Sequence, residues 1–83
     1  MKLELYYFTQ CPFCQMVLRK VDSLDLQDHI EFKNIHENRE AQRFHQETTG
    51  RSTTPCLYID GKPMFESNDI VSWLDNNAKK IKG

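Results

Sequence analysis

Two cysteines separated by two residues are the strongest candidates for chemistry in this sequence. They enclose a proline and a phenylalanine in the segment Cys11-Pro12-Phe13-Cys14. A pair at this spacing can exchange electrons with a disulfide, because one thiolate attacks a disulfide sulfur and the second thiol then resolves the mixed disulfide. The same spacing also opens zinc sites. The sequence has no second Cys-x-x-Cys and no His-x-x-x-His, which favours redox chemistry over zinc binding.

The segments on either side of the cysteines predict the elements that position them. Leu3–Phe8 is rich in apolar and β-prone residues, as expected of a strand covered on both faces. From Pro12 to Leu24 apolar residues recur at helical spacing, and proline is favoured at the first helical position. Cys11 would then lie at the helix N-terminus, where free N–H groups and the helix dipole stabilise a thiolate. We therefore expect Cys11 to be the nucleophile and the more enclosed Cys14 to be the resolving thiol.

The middle of the chain predicts a second strand and a second helix. Apolar residues alternate in part over residues 29–35, as they do in a strand. Asn38 can cap a helix that Gly50 ends, since glycine is the usual stop after a helix. Ala41 and Phe44 are the only apolar residues of that helix. We expect them to form its buried face, with the rest of the helix in solvent.

The last third of the chain predicts a hairpin followed by a helix. Asp60-Gly61 between the apolar segments 56–59 and 63–65 is a strong hairpin signal. Ser67 then offers an N-cap for a third, amphipathic helix. The order β-α-β-α-β-β-α predicts an α/β fold with a four-stranded mixed sheet and helices on both faces. The first cysteine would lie at the carboxyl end of a central strand, where ligands bind in open α/β sheets.

Composition excludes several classes of function. The 83 residues are 39% apolar and 28% charged, with a formal net charge of −1 and interspersed signs, so no basic surface for nucleic acid is expected. No apolar stretch has the length of a signal peptide or a membrane span, and we expect a cytoplasmic monomer without membrane contact. A third cysteine, Cys56, leaves an odd number for a disulfide framework. Strand alternation favours a small buried apolar role for it, and a regulatory thiol is the alternative.

Over its whole length the sequence resembles the glutaredoxins. That family combines a Cys-Pro-x-Cys after the first strand, a Gly-(x)4-Pro segment, and a hairpin leading into a glutathione-binding helix, which correspond here to residues 11–14, 50–55 and 65–70. The resemblance implies a single glutaredoxin domain of thioredoxin-like fold over residues 1–83. It also implies a dithiol enzyme that reduces protein disulfides and glutathione mixed disulfides. Glutathione would be its cosubstrate, with no metal and no tightly bound cofactor, and disulfide-containing or glutathionylated proteins would be its partners.

The resemblance further implies where glutathione binds. Phe13 would line the site, Pro55 would be cis and face the first cysteine, and the Thr54 backbone would pair with the cysteinyl part of glutathione like an added strand. An ordinary turn before a strand is the alternative for Thr54-Pro55. Gln42 aligns with a second-helix residue that contacts the glycine carboxylate in glutaredoxins. Without the resemblance it reads as a solvated helix residue.

Glu66-Ser67 resembles the Glu-Ser pair of transferase-like glutaredoxins and of glutathione-transferase N-terminal domains, which holds the γ-glutamyl group. The Ser67 side chain and the free N–H groups of Ser67 and Asn68 at a helix start make an anion site. Ser67 would also serve as the cap of that helix, and the two roles are compatible.

Phe8 departs from the family pattern, because many glutaredoxins carry Lys or Arg three residues before the first cysteine. A charge-assisted hydrogen bond to glutathione, worth about 1.5–3 kcal/mol, is then missing unless Arg51 or Gln42 supplies it. This leaves open a redoxin that receives electrons from thioredoxin reductase instead of the glutathione reductase system. Pro12 disfavours a glutathione-ligated iron-sulfur module. A glutathione transferase is disfavoured because no helical second domain follows in the sequence.

Overall fold

The computed structural model describes all residues from Met1 to Gly83. Its elements are β1 (Leu3–Tyr7), α1 (Pro12–Ser23), β2 (Glu31–Asn34), α2 (Arg39–Thr49), β3 (Cys56–Ile59), β4 (Lys62–Met64) and α3 (Ser67–Lys82), with a short 3-10 helix, Gln27–His29, before β2. The strands form one sheet in the order β2-β1-β3-β4. β1 pairs parallel to β2 and antiparallel to β3, and β3 pairs antiparallel to β4. The predicted α/β thioredoxin-like fold with a four-stranded mixed sheet is confirmed.

The sheet separates two hydrophobic clusters, and β1 contributes to both. The α1/α3-side cluster contains nine buried residues: Leu3, Leu5, Val17, Val21, Leu26, Ile30, Leu57, Ile70 and Leu74. The α2-side cluster contains five: Tyr6, Ile35, Ala41, Cys56 and Tyr58. Leu5 and Tyr6 turn to opposite faces because side chains alternate along a strand. Burial on both faces fixes the central strand, so its carboxyl end delivers Cys11 to a defined position.

Helix α2 has the predicted caps and a different buried face. The Asn38 side chain accepts a hydrogen bond from the Ala41 N–H at 3.0 Å, and Gly50 ends the helix with φ of 72°. The predicted burial of Phe44 is wrong, since its side chain is 50% exposed. His45 is fully buried in its place. Hydropathy alone does not predict the burial of His45, because a histidine is buried readily when both ring nitrogens have hydrogen-bond partners.

The hairpin is confirmed, and the predicted cap of α3 is wrong. The two residues that connect β3 to β4, Asp60 and Gly61, have φ of 50° and 86°, and a type I′ turn requires two positive values. Helix α3 begins at Ser67, and Glu66 holds the cap position without a side-chain capping bond. The other predicted element boundaries lie within two residues of the observed ones, and those of β3 coincide with them. None of the helices has the length together with the apolar character that crossing a bilayer requires.

Candidate active site

Cys11 occupies the N-cap of α1. Its backbone is extended, with φ of −85° and ψ of 118°, and its sulfur accepts a hydrogen bond from the Cys14 N–H at 3.4 Å. The sulfur thus takes the place of the oxygen that normally caps a helix. Free N–H groups and the positive end of the helix dipole favour negative charge at this position. The predicted location of Cys11 between a buried strand and a helix start is therefore found in the structure.

Cys14 lies one turn into α1 and has different surroundings. Its side chain is fully buried, and its sulfur donates a hydrogen bond to the Thr54 hydroxyl at 3.3 Å. Burial raises the pKa of the Cys14 thiol, while the bond to Thr54 acts in the opposite direction. Both cysteines are free thiols in the structure. Burial of the Cys14 sulfur thus favours its protonated form, because the raised pKa keeps the thiol neutral to a higher pH.

Thr54 contacts both sulfurs. Its carbonyl oxygen lies 3.9 Å from the Cys11 sulfur, and its hydroxyl accepts the bond from Cys14. The Thr54–Pro55 peptide bond is cis, as the resemblance implied. The loop between α2 and β3 therefore lies against the start of α1. Pairing of the Thr54 backbone with glutathione stays a prediction.

A cleft of about 290 Å³ lies at this junction. Three segments line it: the start of α1, the loop before β3, and the start of α3. The lining residues are Phe13, Arg51, Thr53, Thr54, Pro55, Phe65, Glu66, Ser67 and Asn68. Six of the seven predicted glutathione contacts are therefore brought together, which leaves out only Gln42. The volume is near the lower end of the range for small-molecule sites, about 300–1,000 Å³.

The structure does not bring Gln42 to the cleft. Its side chain lines a separate surface depression with Arg39, Arg43, Gln46 and Glu47. Ala41 and His45 form the buried side of α2, and a residue next to Ala41 is turned about 100° away from it around the helix axis. The helical phase therefore explains why this predicted contact lies elsewhere.

Arg51 supplies the cation of the cleft. Its guanidinium carbon lies 4.0 Å from the centroid of the Phe65 ring, and its Nη2 lies 3.9 Å from a carboxylate oxygen of Glu66. Both charged side chains are well exposed, so this ion pair contributes little to stability. The guanidinium is thus held in place over an aromatic ring and remains free to bind an anion. The sequence indicated Arg51 only as a substitute for the cation missing at Phe8.

Two lining residues, Thr53 and Phe65, were not singled out from the sequence. Each is the chain neighbour of a predicted contact, Thr54 or Glu66. The only signal that could have found them is this adjacency, because neither side chain is ionisable or part of a recognisable motif. Phe65 gives the cleft its second aromatic wall beside Phe13.

Glu66 has an uncommon backbone conformation, with φ of 52° and ψ of 148°. A residue other than glycine is rarely found there, and such conformations cost on the order of 1–3 kcal/mol and cluster at binding sites. The first backbone bond of α3 runs from the Ile70 N–H to the Glu66 carbonyl. The N–H groups of Ser67 and Asn68 therefore have no partner within the helix, and both residues line the cleft.

Cys56 and Phe8 lie outside the cleft. Cys56 is fully buried in the α2-side cluster, and burial raises the pKa of its thiol to about 12. The prediction of a small buried residue is confirmed, and such a thiol is unreactive at neutral pH. Phe8 stacks on His36 with ring centroids 4.3 Å apart. His36 and His29 are exposed, in contrast to His45.

Comparison with known proteins points to one family. The family model of the glutathione S-transferase N-terminal domain matches residues 5–80. No curated protein matches the sequence significantly.

The solved structures that resemble this chain include glutathione transferases. An epsilon-class glutathione S-transferase from the housefly Musca domestica is 25% identical with a TM-score of 0.74, over 95% of this chain and 36% of that one. A trimeric glutathione transferase from Leishmania is 28% identical with a TM-score of 0.74, over 92% of this chain and 17% of that one. A β-etherase from Sphingobium, 24% identical with a TM-score of 0.73 over 92% of this chain and 31% of that one, shares the fold. This chain spans about a third or less of the length of these proteins.

Proposed function

Because the chain belongs to the glutathione S-transferase N-terminal domain family, we propose that the cleft binds glutathione and that the protein is a glutaredoxin-type thiol-disulfide oxidoreductase. It reduces protein disulfides and glutathione mixed disulfides through Cys11 and Cys14. The observation that carries the proposal is the position of the Cys11 sulfur, which caps α1 and lies 3.9 Å from the carbonyl oxygen of Thr54 in the cleft, while Cys14 is fully buried one turn further into the helix. Transfer of glutathione to an electrophile uses the thiol of glutathione itself and needs no second protein thiol, whereas a dithiol reaction does.

The proposed reaction starts with attack of the Cys11 thiolate on the glutathione sulfur of a mixed disulfide. The bond between glutathione and the target protein breaks, and the target leaves as a thiolate that takes up a proton. A second glutathione thiolate then attacks the glutathione sulfur bound to Cys11, which releases oxidised glutathione and restores the Cys11 thiolate. With a protein disulfide, the Cys11 thiolate attacks one sulfur and the other sulfur leaves as a thiolate. Cys14 then loses its proton and attacks the Cys11 sulfur of the mixed disulfide, which releases the second target thiolate and forms a Cys11–Cys14 disulfide. Two glutathione molecules reduce that disulfide and leave as oxidised glutathione.

The cleft offers a complementary group for each charged part of glutathione. The free N–H groups of Ser67 and Asn68 suit the γ-glutamyl carboxylate, and the Glu66 carboxylate suits the adjacent ammonium. The Thr54 backbone suits the cysteinyl peptide group. Arg51 takes the role of the cation missing at Phe8 and suits the glycine carboxylate, because a guanidinium binds a carboxylate through two parallel bonds. These assignments explain why the cleft is polar between two aromatic walls.

A coupled assay tests the proposal by identifying the electron donor. The protein is supplied with a glutathionylated peptide and either glutathione with glutathione reductase or thioredoxin reductase, and oxidation of NADPH is followed. We expect turnover only with glutathione. Turnover with thioredoxin reductase alone would contradict the glutathione assignment and support the redoxin alternative.

Variants of the cysteines test the roles within the pair. Cys11→Ser is expected to abolish activity, because it removes the sulfur that caps α1 and contacts Thr54 of the cleft. Cys14→Ser is expected to keep most removal of glutathione from the peptide, since glutathione itself resolves that intermediate, and to lose reduction of protein disulfides. Cys56→Ala is the matched control, because it removes a buried thiol away from the site. Retained activity in Cys11→Ser would contradict the assignment of the nucleophile.

Glutathione transfer to an electrophile is the second candidate function. The family match and the housefly and Leishmania structures favour it, since both proteins are described as glutathione transferases. In that reaction glutathione is the nucleophile and Cys14 has no role. Conjugation of glutathione to an aryl halide separates the two candidates. A rate above the uncatalysed one that Cys14→Ser leaves unchanged would favour the transferase.

A further inference from the structure

His45 is a buried ionisable residue that the proposed reaction does not use. Its side chain is fully buried on α2, with Nδ1 2.9 Å from the Tyr58 hydroxyl and Nε2 2.8 Å from the Thr53 carbonyl oxygen. A carbonyl only accepts, so Nε2 must carry a hydrogen and donate it to Thr53. With the ring neutral, Nδ1 accepts from the Tyr58 hydroxyl, which stays protonated because burial raises the pKa of Tyr58. Both ring nitrogens are thus satisfied in one tautomer.

The Thr53 carbonyl belongs to a segment that lacks backbone support. None of the backbone–backbone hydrogen bonds outside the helices and strands involves residues 51–55. Side chains of α2 hold this segment instead. The Arg51 N–H donates to the Thr49 hydroxyl at 3.1 Å, and His45 donates to Thr53. The hydrogen bond from His45 to Thr53 is therefore the main direct link between α2 and the part of the segment that contacts the cysteines.

The residue that His45 holds, Thr53, is the chain neighbour of the residue that contacts both cysteine sulfurs. Thr54 follows directly, and its carbonyl and hydroxyl contact Cys11 and Cys14. The His45 ring also lies behind the cleft, with its centroid 5.7 Å from that of Phe65. A shift of the Thr53 carbonyl would move the Thr54 groups that face both sulfurs and the cleft.

We propose that His45 is a positioning residue that holds Thr53–Pro55 in the geometry needed for substrate binding, a role that rests on the proposed glutathione-linked function. Its Nε2–H fixes the Thr53 carbonyl, and the Tyr58 hydroxyl fixes the ring. The imidazole does not touch the reacting atoms, and its effect passes through the backbone of the loop. This role depends on the hydrogen-bond donor at Nε2 and not on the size of the ring.

Two amide variants separate the donor to Thr53 from the acceptor to Tyr58. The side-chain nitrogen of His45→Gln can take the position of Nε2 and donate to Thr53, whereas the shorter side chain of His45→Asn reaches only toward Tyr58. Each variant loses one buried hydrogen bond, so both are expected to lower the melting temperature. We expect the KM for a glutathionylated peptide to stay within about threefold of wild type in His45→Gln and to rise by about tenfold or more in His45→Asn. The kcat should change less than the KM in both.

Tyr58→Phe is the control for a purely structural role. It removes a buried hydrogen bond of His45 and leaves the bond to Thr53 intact. If His45 only stabilised the fold, KM would remain at the wild-type value in all three variants while the melting temperature fell, and the proposal would be overturned. Equal KM increases in His45→Gln and His45→Asn would overturn it as well.

If the wild-type protein shows no turnover of the peptide, the proposed function has failed. Two measurements that need no turnover still test the positioning role of His45. A long-range ¹H–¹⁵N spectrum of the wild-type protein should show the neutral Nε2–H tautomer of His45, and the Nδ1–H tautomer would refute the positioning bond. The rate of Cys11 alkylation by iodoacetamide should differ from wild type by about threefold or more in His45→Asn and not in His45→Gln. Identical rates in all proteins would count against the proposal.

Discussion

Cys11 and Cys14 are one helical turn apart and differ in what surrounds each sulfur. The Cys11 sulfur accepts an N–H bond at the start of α1, whereas burial raises the pKa of the Cys14 thiol. A nucleophile must be ionised before the substrate arrives, but a resolving thiol attacks only after the mixed disulfide has formed. The difference between the two sulfurs thus matches the order of events in the proposed reaction.

The hydroxyl of Thr54 is expected to control how readily Cys14 ionises. It accepts the bond from the Cys14 sulfur and lowers the pKa of that thiol, against the larger effect of burial. Thr54→Val removes the hydroxyl and keeps the shape, so the pKa of Cys14 should rise. Resolution by Cys14 needs the thiolate, and its rate should reach half-maximum at a higher pH than in the wild type. Stopped-flow measurement of Cys11–Cys14 disulfide formation across pH provides the test.

Thr48→Val is the control for that variant, since Thr48 lies on the exposed side of α2. It should leave the pH profile unchanged. Removal of glutathione from a peptide by the single-thiol route should also change little in Thr54→Val, because that route does not need Cys14. A Thr54→Val profile that matches the wild type would show that the hydroxyl has no influence on Cys14.

The residues of the site were predictable where a motif fixes both residue type and chain position. The cysteine pair, Thr54-Pro55 and Glu66-Ser67 are such cases: the last two pairs line the cleft, and both sulfurs contact Thr54. The position of Gln42 was not predictable in this way. It depends on which face of α2 is buried, and the burial of His45 sets that face. No local pattern shows that a histidine will find Tyr58 and Thr53 as partners.

Among the elements, α2 shows how local signals determine a boundary. Asn38 accepts from the Ala41 N–H, and Gly50 adopts the left-handed conformation that ends the helix. These contacts lie within a few residues of chain, so the sequence predicts them. The start of α3 differs, since Glu66 and not Ser67 holds the cap position. Its conformation is tied to the cleft, and tertiary structure there overrides the capping preference.

Removal of the Asn38 cap should destabilise the protein through α2. Asn38→Ala leaves the Ala41 N–H without its acceptor, and such changes lower the free energy of unfolding by about 1 kcal/mol. Urea denaturation followed by circular dichroism measures the effect. Asn76→Ala is the control, because Asn76 is exposed within α3, where alanine is the better helix former. Equal losses in the two variants would show that the cap contributes nothing specific.

At the scale of the whole molecule, the active-site loop is supported from the side of α2. The cleft lies where the start of α1, the loop before β3 and the start of α3 meet. The α2-side cluster lies behind that loop and contains three buried ionisable groups: Tyr6, Cys56 and Tyr58. Burial is the main cause that raises the pKa of each. The support of the active-site loop therefore depends on groups that must remain protonated.

This arrangement predicts a loss of stability in alkaline solution. A group whose pKa is higher in the folded than in the unfolded protein stabilises the fold fully below its unfolded pKa, and the contribution is lost as pH rises toward the folded value. For Cys56 the pKa rises from 9.0 to about 12, so the loss begins near pH 9. By pH 10 it should reach on the order of 1 kcal/mol from this thiol alone, and Tyr58 and Tyr6 add to it at higher pH. Urea denaturation of the wild type and of Cys56→Ala between pH 7 and 11 measures the difference. Between pH 9 and 11 the free energy of unfolding should fall less steeply with pH in Cys56→Ala than in the wild type, whatever the stability of the variant at pH 7. Parallel curves for the two proteins would show that the pKa of Cys56 does not change on unfolding.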